Sequence, residues 1–195
     1  TGLMYFGREA LGRQGTKVFV MPKMKTYLSK NGPWNQLVKL ENIVFENLQN
    51  DATITLNQNL RVTPFLVPHR DEFSETVGFS IKGPNKTALF IPDINKWSLW
   101  KKNIASQVKA SDYALIDATF YDNKELPGRD MSKIPHPFVV ETMDALSELS
   151  AQHRAKVWFI HMNHTNPLLN LNSEQAKLVR DQGFNIATAG LRLPL

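Results

Sequence analysis

The sequence predicts an α/β fold in which helices lie outside a mixed β-sheet, and three observations predict it. Short β-rich pieces separated by turn residues fill residues 53–91, strands and helices alternate over residues 97–188, and helical stretches carry one apolar face. No repeat, low-complexity tract or linker interrupts the pattern, so one domain is expected over residues 1–195.

Taken in order, Leu3, Phe6, Ala10 and Leu11 fall on one stripe and predict an amphipathic helix over residues 1–11, stopped by Gly12 and Gly15. The apolar run Val18-Phe19-Val20-Met21 reads as a strand. Pro22 then opens a helix through Met24, Tyr27 and Leu28 that ends at Asn31-Gly32-Pro33, and a short apolar segment (34–40) precedes a polar stretch. Strands follow at 53–56, 61–67, 77–82 and 87–91, the last two joined as a hairpin by Gly83-Pro84-Asn85. Residues 97–108 read as helix, 113–117 as strand, 138–153 as helix, 157–161 as strand, 173–182 as helix and 185–188 as strand. Pro137 suits a first helical position, Asn172 and Gln175 have capping-box spacing, and Val139, Met143, Leu146 and Leu149 share a face.

Composition narrows the function classes. With 42% hydrophobic and 10% aromatic residues, the chain can bury a sizeable core. Lys+Arg 23 against Asp+Glu 18 gives a formal net charge of +5, spread along the chain, which permits an anionic partner without requiring one. The absence of cysteine excludes a disulfide framework, a thiolate metal site and a cysteine nucleophile, so a metal would be held by His, Asp, Glu or amide oxygen. No run approaches the roughly 18 apolar residues that span a bilayer, so a soluble protein without a membrane partner is expected, with the cytoplasm the favoured compartment. Phosphate-loop, dinucleotide-binding and Gly-x-Ser-x-Gly motifs are missing. Lys96, Lys101 and Lys102 with Trp97 and Trp100 could form a basic aromatic surface, but helical spacing assigns the tryptophans to the core. The expected partner is a small-molecule substrate rather than nucleic acid, and the oligomeric state is left open.

Three apolar strands run out onto residues that bind metals: Thr63-Pro-Phe-Leu-Val-Pro-His69, Ala88-Leu-Phe-Ile-Pro-Asp93 and Lys156-Val-Trp-Phe-Ile-His161. Strand ends are where a rigid sheet fixes the backbone while the side chain reaches open space, so His69, Asp93 and His161 can converge on one divalent ion. Singly, each has an ordinary alternative: a hydrogen-bonded surface histidine, or an Asp that forms a turn. His164, three residues beyond His161, is either a ligand or support residue or a loop histidine that caps backbone. Asp117 closes a fourth strand and could orient a metal-bound histidine or cap a turn. His136, held between Pro135 and Pro137, could face a substrate or serve as a structural cap. His153 needs no function near a helix C-terminus. Arg70 and Glu72 follow His69 in a charged loop, read chiefly as solvated.

Several stretches together resemble the metallo-β-lactamase superfamily, and within it the branch that resembles pyrroloquinoline quinone biosynthesis protein B. They are Gly2-Leu-Met-Tyr-Phe-Gly-Arg-Glu-Ala10, Pro68-His-Arg-Asp-Glu72 with Thr76-Val-Gly-Phe79, Leu89-Phe-Ile-Pro-Asp93, Ile134-Pro-His-Pro-Phe138 with Glu141-Thr-Met143, and Phe159-Ile-His-Met-Asn-His-Thr-Asn-Pro-Leu168.

The resemblance implies an αββα sandwich with a metal site at its edge. By position, His69 resembles the histidine after the central strands, Asp93 the carboxylate that commonly bridges two metals, and His161 the late histidine ligand. The superfamily's His-x-His-x-Asp-His motif should precede residues 1–11 and is not present, so the chain is expected to lack the N-terminal strands and the first metal-ligand motif. The implied function is a metal-dependent hydrolase, in which water activated by zinc, or by manganese or iron, attacks an ester, amide or phosphodiester. His164 or His136 would transfer the proton. Oxidative chemistry in quinone cofactor biosynthesis and a metal-free binding or scaffold role are the alternatives.

Overall fold

The computed structural model describes residues 2–195, and their contacts divide them into two compact units. The first comprises the described residues up to Ala52 together with Arg70–Glu75; the second comprises Thr53–His69 and Thr76–Leu195.

In the first unit a 3-10 turn, Gly2–Phe6, precedes strand β1 (Thr16–Val20), helices α1 (Pro22–Lys30) and α2 (Trp34–Lys39), and strand β2 (Ile43–Asn47). β1 and β2 pair in parallel from Thr16↔Ile43 to Val20↔Asn47. Leu28, Leu37, Ile43 and Leu48 are buried there. The amphipathic helix expected over 1–11 does not form: Thr1 lies outside the described residues, and beyond Phe6 the chain closes turns, with Gly12 N–H donating to Gly7 O at 2.9 Å. Glycines at 2, 7 and 12 weaken a helix at each turn, and Tyr5 and Leu11 remain exposed, so no buried face rewards one. Pro22 does open α1, whose free amides are capped by the carboxylate of Glu75: Lys23 N–H donates to it at 3.0 Å and Met24 N–H at 3.3 Å. Strand β2 falls in the stretch read as polar, because Asn42 and Glu46 break its apolar pattern.

The second unit holds a seven-stranded sheet whose strands neighbour one another in chain order: β3 (Ile54–Asn57), β4 (Leu60–Leu66), β5 (Val77–Lys82), β6 (Thr87–Ile91), β7 (Tyr113–Asp117), β8 (Val157–Ile160) and β9 (Asn185–Ile186). Pairing is antiparallel through β6 and parallel from β6 to β9. Two antiparallel steps restore a strand's direction, so β4 runs with β6, β7 and β8, and the C-terminal ends of all four reach the same edge of the sheet. Helices α3 (Ile104–Ala110), α4 (Val139–Ala145), α5 (Ala151–Arg154) and α6 (Glu174–Asp181) occupy the crossovers. One cluster joins strand residues Phe65, Ile91, Ile116 and Phe159 to Ile104, Val108, Val139, Met143 and Val179 of the helices. The near-continuous apolar runs of β6 and β8 reflect this burial.

Two helices are shorter than their periodicity predicts. The 97–108 stretch divides into a 3-10 turn, Trp97–Leu99, and α3, because the Asn103 side chain accepts the Ser106 N–H at 2.9 Å and starts a new helix. The 138–153 stretch divides in the same way at Ser150, whose hydroxyl accepts the His153 N–H and whose Oγ lies 2.9 Å from His153 Nδ1. Pro137 precedes the cap of α4 instead of occupying its first turn, and Glu141 reaches back to the Phe138 N–H at 2.8 Å. Ser173, not Asn172, caps α6. Both tryptophans of the basic segment turn their indoles inward: Trp97 Nε1 donates to Thr142 Oγ1 and Trp100 Nε1 to Leu66 O.

Candidate metal centre

Four strand ends on one sheet edge place His69, Asp93, Asp117 and His161 close together, and the long connection after β7 brings in His136. Asp93 is the meeting point. Its Oδ1 lies 3.1 Å from His69 Nε2 and 3.4 Å from His136 Nδ1, yet it is buried and accepts no hydrogen bond. Two sets of potential ligand atoms lie within 4.8 Å of one another: His69, Asp93 and His136, and Asp93, Asp117 and His161.

These spacings suit a cation. Donors held about 2.0–2.1 Å from a tetrahedral ion lie about 3.3 Å apart, close to the 3.1 Å between His69 Nε2 and Asp93 Oδ1. An orphaned buried carboxylate oxygen is costly in the absence of a compensating charge. The donor set of imidazole and carboxylate, without thiolate, fits zinc, manganese or iron.

Asp117 lies beneath this cluster, fully buried at the end of β7. Its Oδ2 accepts from His136 Nδ1 at 2.7 Å and from the Ile94 N–H at 3.2 Å; its Oδ1 accepts from the Thr119 N–H at 2.8 Å and from Thr119 Oγ1 at 2.6 Å. Burial alone would lift the Asp117 carboxyl, but the hydrogen bond from His136, the His161 imidazole 3.8 Å away, His136's charge and the Thr119 hydroxyl hold it below its ordinary value. The Thr119 hydroxyl also lies 3.2 Å from both His136 Nδ1 and His161 Nδ1.

His161 sits in the left-handed region, with φ 61, which is uncommon outside glycine. Backbone bonds hold the turn on both sides: Ala118 N–H donates to Ile160 O and Asn163 N–H to Thr119 O, each at 2.9 Å. A strained residue enforced by its surroundings next to a cluster of ligands is a feature of functional sites. Its imidazole is pushed above its ordinary range by the Asp117 carboxylate, 3.8 Å from its Nδ1, against partial burial, with further help from the charge of Asp93.

The structure thus brings together His69, Asp93, His161 and His136. His136 lies closer to the ligand atoms than its expected role as a proton carrier required. His164 is exposed and stands outside both groups among the described residues. Asp117 makes the orienting contacts its strand-end position allowed, with two histidines rather than one. Arg70 and Glu72 belong to the first unit. Sequence reasoning missed Thr119 and Asn95; their signal is only that each lies two residues beyond a strand-end carboxylate.

A sheet edge of this topology carrying histidines and carboxylates defines a metallo-β-lactamase-type domain. The Beta-lactamase superfamily domain family matches residues 2–162, which include every residue of the cluster, and the chain belongs to that family. Among curated relatives it is similar to coenzyme PQQ synthesis protein B of Acinetobacter baumannii (27% identical over 158 residues, 71% of this chain and 50% of the relative). It is also similar to that of Gluconobacter oxydans (26% over 164 residues, 74% and 53%). The chain spans about half the length of these relatives. Among solved structures, zinc-bound PqqB of Methylobacterium extorquens matches with a TM-score of 0.77 at 20% identity, covering 100% of this chain and 66% of that one. Unliganded yeast PDE1 matches at 0.58 and 11%, covering 89% and 58%. Both show the same fold. No helix of the described residues is long and apolar enough to cross a membrane.

Proposed function

We propose that this chain carries part of the metal centre of an enzyme acting in quinone cofactor biosynthesis, with hydrolysis as its reaction. The observation that carries the reading is the bare, buried Asp93 Oδ1 between two imidazole nitrogens. His69, Asp93 and His161 would hold a divalent ion, zinc first, with manganese or iron as substitutes. When bound, such an ion supplies an acidified water and a Lewis acid for the substrate's oxygen. His136 donates Nδ1–H to Asp117, which leaves Nε2 with the ring's lone pair, able to take a proton and return it to a leaving group. Asp117 fixes the orientation of that ring through this bond. Thr119 keeps the hydroxyl contacts of both His136 and His161 on one oxygen. The name shared by the curated relatives supports the pathway, and the zinc in the PqqB structure supports the metal.

A different two-histidine, one-carboxylate set, His69, Asp93 and His136, in which His136 would be a ligand, suits oxidative chemistry on a tyrosine-containing precursor with dioxygen as electron acceptor. Turnover of ester, amide and phosphodiester substrates, measured beside oxygen uptake on iron-loaded protein, separates the two. Chelator-sensitive hydrolysis without oxygen uptake supports the proposal; oxygen uptake alone overturns the hydrolytic step.

A further inference from the structure

Three consecutive residues after β6 build the floor of the cluster. Asp93 offers its bare oxygen, the Ile94 N–H holds Asp117, and Asn95 reaches across to the end of β4. Asn95 makes two bonds there: its backbone N–H donates to Pro68 O at 2.6 Å, and its Oδ1 lies 3.0 Å from His69 Nδ1. Strand β5 separates β4 from β6 in the sheet, so this segment joins two strands that do not pair.

We propose that Asn95 is a positioning residue that fixes the tautomer of His69 and thereby selects Nε2 as the ligand atom. A carbonyl oxygen only accepts, so the Asn95 contact places the ring proton on Nδ1. In the neutral ring the lone pair is then on Nε2, which faces Asp93 Oδ1 at 3.1 Å. A lone pair aimed at a carboxylate oxygen is repulsive, and a shared cation turns that pair of donors into a binding site. With the proton on Nε2, His69 would instead donate to Asp93 and close the site as a hydrogen-bonded pair. Partner groups of this kind set ring orientation and the basicity of ligating histidines. The inference rests on the metal-centre reading above.

The test compares zinc affinity, by competition with a chromophoric chelator, for the wild-type chain and its Asn95→Leu, Asn95→Asp and His69→Ala variants. Long-range proton–nitrogen NMR of chelator-stripped protein reads the His69 tautomer alongside. Asn95→Leu should weaken zinc binding about ten- to a hundredfold and release His69 from the Nδ1–H form. Asn95→Asp keeps an acceptor in place and should restore both. Wild-type His69 found as Nε2–H, or Asn95→Leu binding zinc as wild type does, overturns the proposal, and the first result does so even if Asn95→Leu fails to fold. Weaker binding in Asn95→Leu with an unchanged tautomer overturns it too, since the role is then structural only. If His69→Ala binds zinc undiminished, the metal-centre reading fails and takes this inference with it. If His69→Ala loses zinc while Asn95→Leu retains it, only this inference fails.

Discussion

Asp117 and His136 meet at 2.7 Å although they stand 19 positions apart in the sequence, and the carboxylate in that contact is fully buried at the end of β7. Such a charge is tolerated because His136, Thr119 and the Ile94 amide satisfy its oxygens. The contact ties the long connection after β7 to the sheet edge where the ligand atoms gather.

Replacing the buried carboxylate tests that arrangement. Asp117→Asn keeps the shape and removes the charge that holds the His136 and His161 rings. Zinc affinity should fall about ten- to a hundredfold, measured by chelator competition, with the circular dichroism of the chain unchanged. Undiminished affinity would make Asp117 a purely structural residue.

His136 and His164 separate the two proton-transfer candidates. His136→Gln should lower kcat about a hundredfold or more while metal content, read by elemental analysis, stays near wild type. His164→Ala should leave both nearly unchanged, since His164 is exposed and outside the cluster. Loss of bound metal in His136→Gln would make His136 a ligand instead.

The folded-state His161 lies above its usual 6.5, so in chelator-treated protein its stabilising contribution is complete below that pH and is lost as pH rises through the folded value. Asp117 lies below its usual 3.8, so its contribution is present above that pH and is lost on further acidification. Urea midpoints should therefore decline as pH rises above 6.5, and His161→Gln should flatten that decline. A slope unchanged in the variant would contradict the assignment to His161.

Phe159, fully buried in β8 and 5.8 Å from the Phe184 ring, anchors the sheet below His161. Phe159→Ala should cost about 3–5 kcal/mol in urea denaturation of the chain. A cost below about 1 kcal/mol would mean that the core collapses around the gap.

Much of the second unit was legible because buried strands announce themselves as apolar runs, and His69, Asp93 and His161 follow such runs directly. Their convergence needed the direction of β4, which only the β5 antiparallel pairing reveals. His136 was visible as a rigid histidine between prolines, but its contact with Asp117 depends on the course of an irregular connection that no periodicity encodes. Thr119 and Asn95 carry no signal beyond local spacing, since threonine and asparagine after a strand are ordinary turn residues. Local capping by Asn103 and Ser150 broke two stretches whose apolar faces continue on either side. In the first unit, glycine spacing defeated the stripe of Leu3, Phe6, Ala10 and Leu11.

The most direct measurement is metal content by inductively coupled plasma mass spectrometry, on protein purified without chelator or metal-affinity resin, for wild type, His69→Ala and Asp93→Ala. The account expects zinc, manganese or iron at a near-stoichiometric level in wild type and its loss from both variants, with their circular dichroism preserved. Wild-type protein that is metal-free and takes up none of the three ions, or variants that keep the metal, would contradict it.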